Sequence, residues 1–517
     1  MPKLPPKMAP RVVCAGVPSE ELLSTRARLE KAEALMKRGQ HGSAQTICEE
    51  LVGRNPSYTG ALNLLGRLHF AQGDYPRALS FLLRSEMLNP FDTATLKLLA
   101  ATYVQLGAYE MAARTLREAL STSGGDTEAL FAYSEIMRRE QDYEIAADGY
   151  RKVLVADPLS QAAEIGLAIC HTNIGLFGEA AQGLEKLLKR GVRSMQVIFN
   201  AAELRAHLSD ISWLDLAGEI KREGNEDKDG FDIKIAFLKA AILDRAGRHG
   251  EAWQQLLFAN RQQFLNVREA WQKQIAYQDA SLTRARDSLA KVTGGEPGEG
   301  RSAVSLLILG PSRSGKTTLE SLLASLSHVK RGYESPIIEN AVRRAYQSAG
   351  FPASRQYWSM PSQVEALCRE FYLDELQRRA GRAVVFTNSD PDRIHEAAKI
   401  AEIIPNVRLV FVKRNPEDLM LRIFMKKYAD GNVYAYDLVA IRHYIAWYHQ
   451  FIDVLAAKFP EISCVIQYEE MIADPTKICE KVAQLCGLKA TDSPLHAIED
   501  DRDCAAPYLS VMNQPKP

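Results

Sequence analysis

Glycine returns at a 34-residue interval through the first part of the chain, and that period restricts the fold more than any other feature. Gly39, Gly73, Gly107 and Gly175 lie 34 residues or a multiple of 34 apart, with Gln141 in the vacant slot. Alanine follows five positions after each, at Ala44, Ala78, Ala112, Ala146 and Ala180, and His41, Tyr75, Tyr109, Tyr143 and Phe177 stand between. Pro56, Pro90 and Pro158 close three of the units, and Gly124 a fourth. This is the chemistry of a helix–turn–helix unit. Glycine takes positive φ at the turn without strain, the small alanine lets the second helix approach the first, and proline ends the second helix. Such units stack side by side into a solenoid.

The pattern resembles the tetratricopeptide repeat over about residues 25–194. About five repeats are therefore expected over 23–194, behind a disordered leader at 1–22. The resemblance implies a groove that receives a protein or peptide. A rigid spacer or a dimerisation arm is the competing reading, and a homo-oligomer stays open. Repeat residues then fade: 195–290 reads as degenerate repeats and connecting helices, including Gly247 to Trp253 and a helix from Arg268 to Leu289. Thr293-Gly294-Gly295-Glu296-Pro297-Gly298-Glu299-Gly300 marks a linker over 291–302, and a second domain is expected over 303–517.

That second domain opens with the apolar run Ala303–Leu309, then Gly310-Pro311-Ser312-Arg313-Ser314-Gly315-Lys316-Thr317-Thr318, then a helical pattern. Strand, glycine-bounded loop and helix form the geometry that wraps backbone N–H groups around a phosphate and aims a helix N-terminus at its charge. The spacing also satisfies G-x-x-x-x-G-K-[ST]. Further apolar runs at 383–387, 407–412 and 464–468 alternate with helical patterns at 362–379 and 437–458. Alternation of this kind predicts an α/β domain with a parallel sheet covered on both faces. Ligands of such sheets sit beyond the carboxyl ends of the strands, where the loop and Arg414 both fall.

Residues 303–488 resemble the sulfotransferase superfamily, in the branch that bacteria fuse behind tetratricopeptide repeats. Gly310, Arg313, Ser314, Gly315 and Thr317 match the family's G-x-P-R-S-G-T-T loop, and Glu320 its following acidic residue. Lys413-Arg414-Asn415-Pro416-Glu417-Asp418 matches the second motif, R-x-P-x-D, and Tyr468-Glu469-Glu470-Met471-Ile472-Ala473-Asp474-Pro475 a third. The resemblance implies a donor, 3′-phosphoadenosine 5′-phosphosulfate, held without a metal. Its 5′-phosphosulfate would lie on Gly310, Arg313, Ser314, Gly315, Lys316, Thr317 and Thr318, and its 3′-phosphate near Arg414 and Arg422, with Tyr468 of the third motif also among the donor-binding residues. The acceptor would be a hydroxyl of a protein or glycan. Glu334, in Arg331-Gly332-Tyr333-Glu334-Ser335-Pro336, stands where members place their base, and His328 is a rival base.

The match breaks at four points. Lys316 replaces the family's threonine and completes a nucleotide-triphosphate loop instead. Arg422 stands where the family has a serine for the 3′-phosphate. Ser389 stands where it has a catalytic lysine, a charge that Lys316 is expected to supply. The tail from Asp492 lacks the usual Ser- and Trp-bearing ending. Two alternatives follow: a repeat scaffold with a vestigial transferase domain, and a P-loop nucleotide kinase or NTPase.

Composition adds boundaries. A chain of 517 residues exceeds one core. Lys+Arg and Asp+Glu balance at 64 each, which gives no global pull towards nucleic acid or an anionic membrane. No run of 18 apolar residues predicts a membrane span. Eight cysteines without C-x-x-C pairs argue against zinc and against a disulfide framework, so the cytoplasm is the expected compartment.

Overall fold

The computed structural model describes residues 19–204, 207, 212–222, 227–287, 303–352, 360–428, 431–488, 498 and 500–512. The expected leader lies almost wholly outside the described residues, and the linker's 291–302 entirely so. Two compact units emerge: the described residues up to Arg139 with Glu144–Gly166, and Glu140–Tyr143 with the described residues from Leu167 onward.

The first unit is built of antiparallel helix pairs, such as Thr59–Ala71 with Tyr75–Leu88 and Thr93–Gln105 with Tyr109–Ser123. Gly39, Gly73 and Gly107 take φ of 74°, 78° and 71° at the turns. Ala44, Ala78, Ala112 and Ala146 are fully buried, which is what close approach of the paired helices requires. At Asp74 and Asp92 a carboxylate caps the following helix by accepting its first-turn N–H groups. The repeat pattern continues in the second unit, where Gly175 has φ 99° and Ala180 is buried.

The second unit centres on a five-stranded parallel sheet of order β2-β3-β1-β4-β5. Its strands are β1 Val304–Leu309, β2 Val329–Lys330, β3 Val385–Asn388, β4 Val407–Lys413 and β5 Ser463–Gln467. Alternate residues serve two cores. Leu307, Leu309, Phe386, Leu409 and Phe411 face helices Ile337–Ser348, Ser362–Ala380 and Leu438–Lys458. Leu306, Ile308, Val410, Val412 and Ile466 face Leu319, Leu322, Met471, Ile478 and Val482. Both faces are covered, so the strands read as near-continuous apolar runs.

One expectation about the boundary needs revising. Helix Lys228–Arg245 and the 39-residue helix His249–Asp287 share the core of the sheet, through Phe237, Trp253 and Leu256. The Trp253 ring lies 5.3 Å from that of Phe424. Residues read as connecting helices are thus part of the domain they precede. Among the described residues, no helix is long and apolar enough to cross a membrane.

Candidate functional site

β1 lies at the switch of the sheet, with β3 on one side and β4 on the other. The loops that leave β1 and β4 therefore meet at their carboxyl ends. Arg414, just past β4, donates from Nη1 to the carbonyl of Arg313 at 3.2 Å, so the two motifs are in direct contact.

The first loop is tightly wound. Arg313 and Gly315 take φ of 68° and 101°, and helix Lys316–Leu323 starts at once, its first return bond running from Leu319 N–H to Gly315 C=O. Gly315 must be glycine twice over. Its φ is left-handed, and a Cβ there would lie 2.4 Å from Cδ2 of Tyr468. Gly310 is equally closed, since a Cβ would stand 2.7 Å from the Val412 carbonyl oxygen. Ser314 is fully buried, and its Oγ has no hydrogen-bond partner among the described residues. Arg313 and Thr317 are exposed and Thr318 is half-buried. Lys316 is buried and folds back to donate from Nζ to the Pro311 carbonyl at 2.9 Å.

The second and third motifs form one block. Asn415 caps helix Pro416–Phe424 by accepting the N–H groups of Glu417 and Asp418, with Pro416 in the first turn. Its own N–H donates to Glu469 Oε1 at 2.7 Å. The Arg414 guanidinium lies 4.3 Å above the Tyr468 ring, the same ring that backs Gly315. The remaining contacts of Arg414 are unexpected. It donates from Nη2 to the backbone carbonyl and to Oδ2 of Asp501, the latter at 2.9 Å, while its buried Nε has no hydrogen-bond partner among the described residues. Arg422 closes on the same carboxylate, from Nε at 2.9 Å and also from Nη2. Burial alone would raise the Asp501 carboxyl, but Arg422 and then Arg414 overcome it and hold the group below its usual range. Both arginines expected to face a ligand phosphate thus face a carboxylate of their own chain.

Glu334 lies in the segment after β2, at the carboxyl end of the sheet, and is exposed. Its main chain is held by Gln141, whose side-chain amide accepts the Glu334 N–H at 2.8 Å and donates to the Glu334 carbonyl at 2.9 Å. Gln141 takes φ of 60° in the slot where the other repeats have glycine. Tyr333, next to Glu334, meets the Tyr143 ring edge-on at 4.8 Å. Glu320, fully buried, accepts the Tyr333 N–H at 2.9 Å and the hydroxyl of Thr387, with Arg331 3.6 Å away. Burial raises its carboxyl, and Arg331 and these hydrogen bonds oppose the rise without cancelling it.

The other predicted positions separate. His328 is exposed and precedes β2, where its carbonyl accepts the N–H groups of Val384 and Val385. It therefore sits at the amino edge of the sheet, opposite the loop, because parallel strands share one direction. Ser389 is buried, with its N–H on the Tyr333 carbonyl and its hydroxyl towards Glu320.

Three contributors were not read from the sequence. Tyr428 donates its hydroxyl to Ser312 Oγ at 2.9 Å, and burial pushes its phenol up to about 12. Lys426 lies with its Nζ 5.1 Å from the centre of that ring. Desolvation and then the charge of Arg313 disfavour its ammonium, while Glu334 favours it, so all three groups share one field. Asp501 is the third. No periodicity or motif marks any of them, since each arrives from a segment without a recognisable spacing.

Comparison with known proteins gives two family matches. Residues 305–492 match the model of the sulfotransferase family. Residues 37–119 match that of subunit 3 of the anaphase-promoting complex, or cyclosome. Among solved structures, the chain is similar to a tetratricopeptide repeat protein from Parabacteroides merdae, at 19% identity and TM-score 0.36 over 46% of this chain and 93% of that one. It is also similar to YrrB, described as a tetratricopeptide repeat protein with an unusual peptide-binding site, at 17% identity and TM-score 0.30 over 31% and 84%. MamA is a third, at 16% identity and TM-score 0.30 over 31% and 94%. No curated protein matches the chain.

Proposed function

Because residues 305–492 are a sulfotransferase-family domain set behind tetratricopeptide-like repeats, we propose that the chain moves a sulfuryl group from 3′-phosphoadenosine 5′-phosphosulfate to a hydroxyl of a protein or glycan acceptor. The contact of Arg414 with the carbonyl of Arg313 carries this reading, because it joins the loop after β1 to the motif after β4. Gly310, Arg313, Ser314, Gly315, Lys316, Thr317 and Thr318 hold the 5′-phosphosulfate, through backbone N–H groups, the buried Ser314 hydroxyl and the exposed Arg313 side chain. Tyr468 supports the loop and Arg414 from beneath.

Glu334 accepts the acceptor's proton as the hydroxyl oxygen forms its bond to sulfur. The bond from sulfur to the phosphate oxygen breaks in the same transfer, and 3′,5′-bisphosphoadenosine leaves. Lys316 stabilises the charge that develops on the leaving oxygen, once its Nζ turns from the Pro311 carbonyl. The repeats dock a protein or peptide and bring in the protein or glycan acceptor, in the cytoplasm.

The test is the release of 3′,5′-bisphosphoadenosine from the sulfated donor in the presence of tyrosine peptides and polysaccharides. Acceptor-dependent release that Glu334→Gln abolishes supports the reading. Donor binding without release on any acceptor favours the vestigial scaffold, and Mg²⁺-dependent ATP hydrolysis favours the kinase or NTPase.

A further inference from the structure

Asp501 stands between two arginines. Arg414 and Arg422, eight residues apart on the motif that follows β4, converge on one carboxylate that belongs to neither of their elements. Arg414 is 4% exposed, and its Nη groups are taken by Asp501 and by the Arg313 carbonyl. Arg422 gives Nε and Nη2 to Asp501 and directs Nη1 to Asp244 at 3.5 Å. A buried guanidinium without an anion is costly, so Arg414 demands a negative group beside it, and the half-buried Arg422 shares that group. The chain supplies it.

The supply is local and separable from the rest of the segment. Asp418, buried on the same helix, accepts the N–H groups of Asp503 and Ala505, each at 2.9 Å. Tyr508 donates to Asp244 at 2.7 Å and packs its ring against His249 and Trp253. The anchor of the segment is therefore Asp503–Tyr508, and Asp501 lies just outside it, with a side chain 25% exposed. A second anion cannot join the pair beside this carboxylate without like-charge repulsion at close range.

We propose that Asp501 is an internal ligand of the Arg414–Arg422 anion site and a determinant of donor specificity: a phosphate on the donor's ribose enters only by displacing it. The inference rests on the donor reading given above. It makes the 3′-phosphate contribute less to affinity than a vacant two-arginine site would allow, because its gain is offset by release of the carboxylate.

Isothermal titration of the full chain with 3′,5′-bisphosphoadenosine and with adenosine 5′-monophosphate, in wild type and Asp501→Asn, tests this. Asparagine keeps the shape and the backbone contact, and Asp501→Ala with a thermal melt checks that the fold survives. The expected result is about tenfold tighter binding of the bisphosphate to Asp501→Asn, with the monophosphate changed less than about twofold. Unchanged or weakened bisphosphate binding to Asp501→Asn, or equal tightening of both nucleotides, overturns the inference while leaving the donor reading intact. Absence of binding by both nucleotides to both proteins removes the donor reading itself, and the inference with it.

Discussion

Glu320 accepts the backbone N–H of Tyr333 at 2.9 Å, so a carboxylate on the first turns of the loop helix fixes the segment that carries Glu334. The same group accepts the Thr387 hydroxyl at the end of β3 and faces Arg331. One buried side chain thereby ties three carboxyl-end loops of the sheet together. Glu320→Ala takes the carboxylate from the buried Arg331 guanidinium and the acceptor from three donors, the Tyr333 N–H and the hydroxyls of Thr387 and Ser389, and is expected to cost about 3–5 kcal/mol of stability. Glu320→Gln keeps an acceptor and is expected to cost about 1–3 kcal/mol. Urea denaturation measures both, and equal stability of the alanine variant and wild type contradicts the bracket.

Gln141→Gly is expected to separate stability from catalysis. The substitution restores glycine at a position of φ 60° and relieves about 1 kcal/mol of left-handed strain. It also removes the only described side chain that grips the Glu334 backbone on both its N–H and its carbonyl. The melting temperature should hold or rise while kcat falls by about tenfold or more through lost positioning. A variant with full kcat shows that Glu334 is positioned without this residue.

Lys316→Ala is expected to leave affinity for 3′,5′-bisphosphoadenosine within about threefold and to lower turnover by about 10²-fold, the scale of removing one transition-state donor. The Lys316 ammonium donates to the Pro311 carbonyl, so it contributes to the transition state after a turn of the side chain. Loss of ligand affinity in step with turnover assigns Lys316 to binding alone.

Stability should fall with acid through two histidines. Burial among Tyr277, Trp447 and Phe451, with Arg284 nearby, pushes His395 down to about 4, and burial and then Lys413 do the same to His449. A histidine whose folded pKa lies below its unfolded value binds protons more readily when unfolded. Each therefore removes stability as pH drops from about 6.5 towards 4, with little further loss below, by at most about 3 kcal/mol. His395→Phe, which suits the aromatic surroundings, should flatten the fall of the urea midpoint across that window. An unchanged slope contradicts the assignment.

The repeats were legible because a helix turn and a close helix contact each require one residue type at one place. Ala44, Ala78, Ala112, Ala146 and Ala180 are all fully buried, as their spacing predicted. The sheet was legible for the same reason, since strands covered on both faces are apolar without interruption. β2 escaped notice because two residues, Val329 and Lys330, carry no pattern. The fate of Arg414 and Arg422 was hidden by a different cause. A motif states which groups can bind an anion, but their occupant, Asp501, lies 87 and 79 residues after Arg414 and Arg422, in a segment with no spacing of its own. His328 misled in the opposite way: proximity to the loop in sequence placed it, after one helix, at the other edge of the sheet.

The central claim is that the loop at Gly310–Thr318 and the motif at Arg414 together hold a bisphosphorylated adenosine. Titration calorimetry of the full chain with 3′,5′-bisphosphoadenosine in the presence of a chelator measures it most directly. Saturable one-site binding that Arg313→Ala weakens by about tenfold or more is the predicted result, on the scale of one charge-assisted contact. Heat only with ATP and Mg²⁺, and none with the bisphosphate, contradicts it.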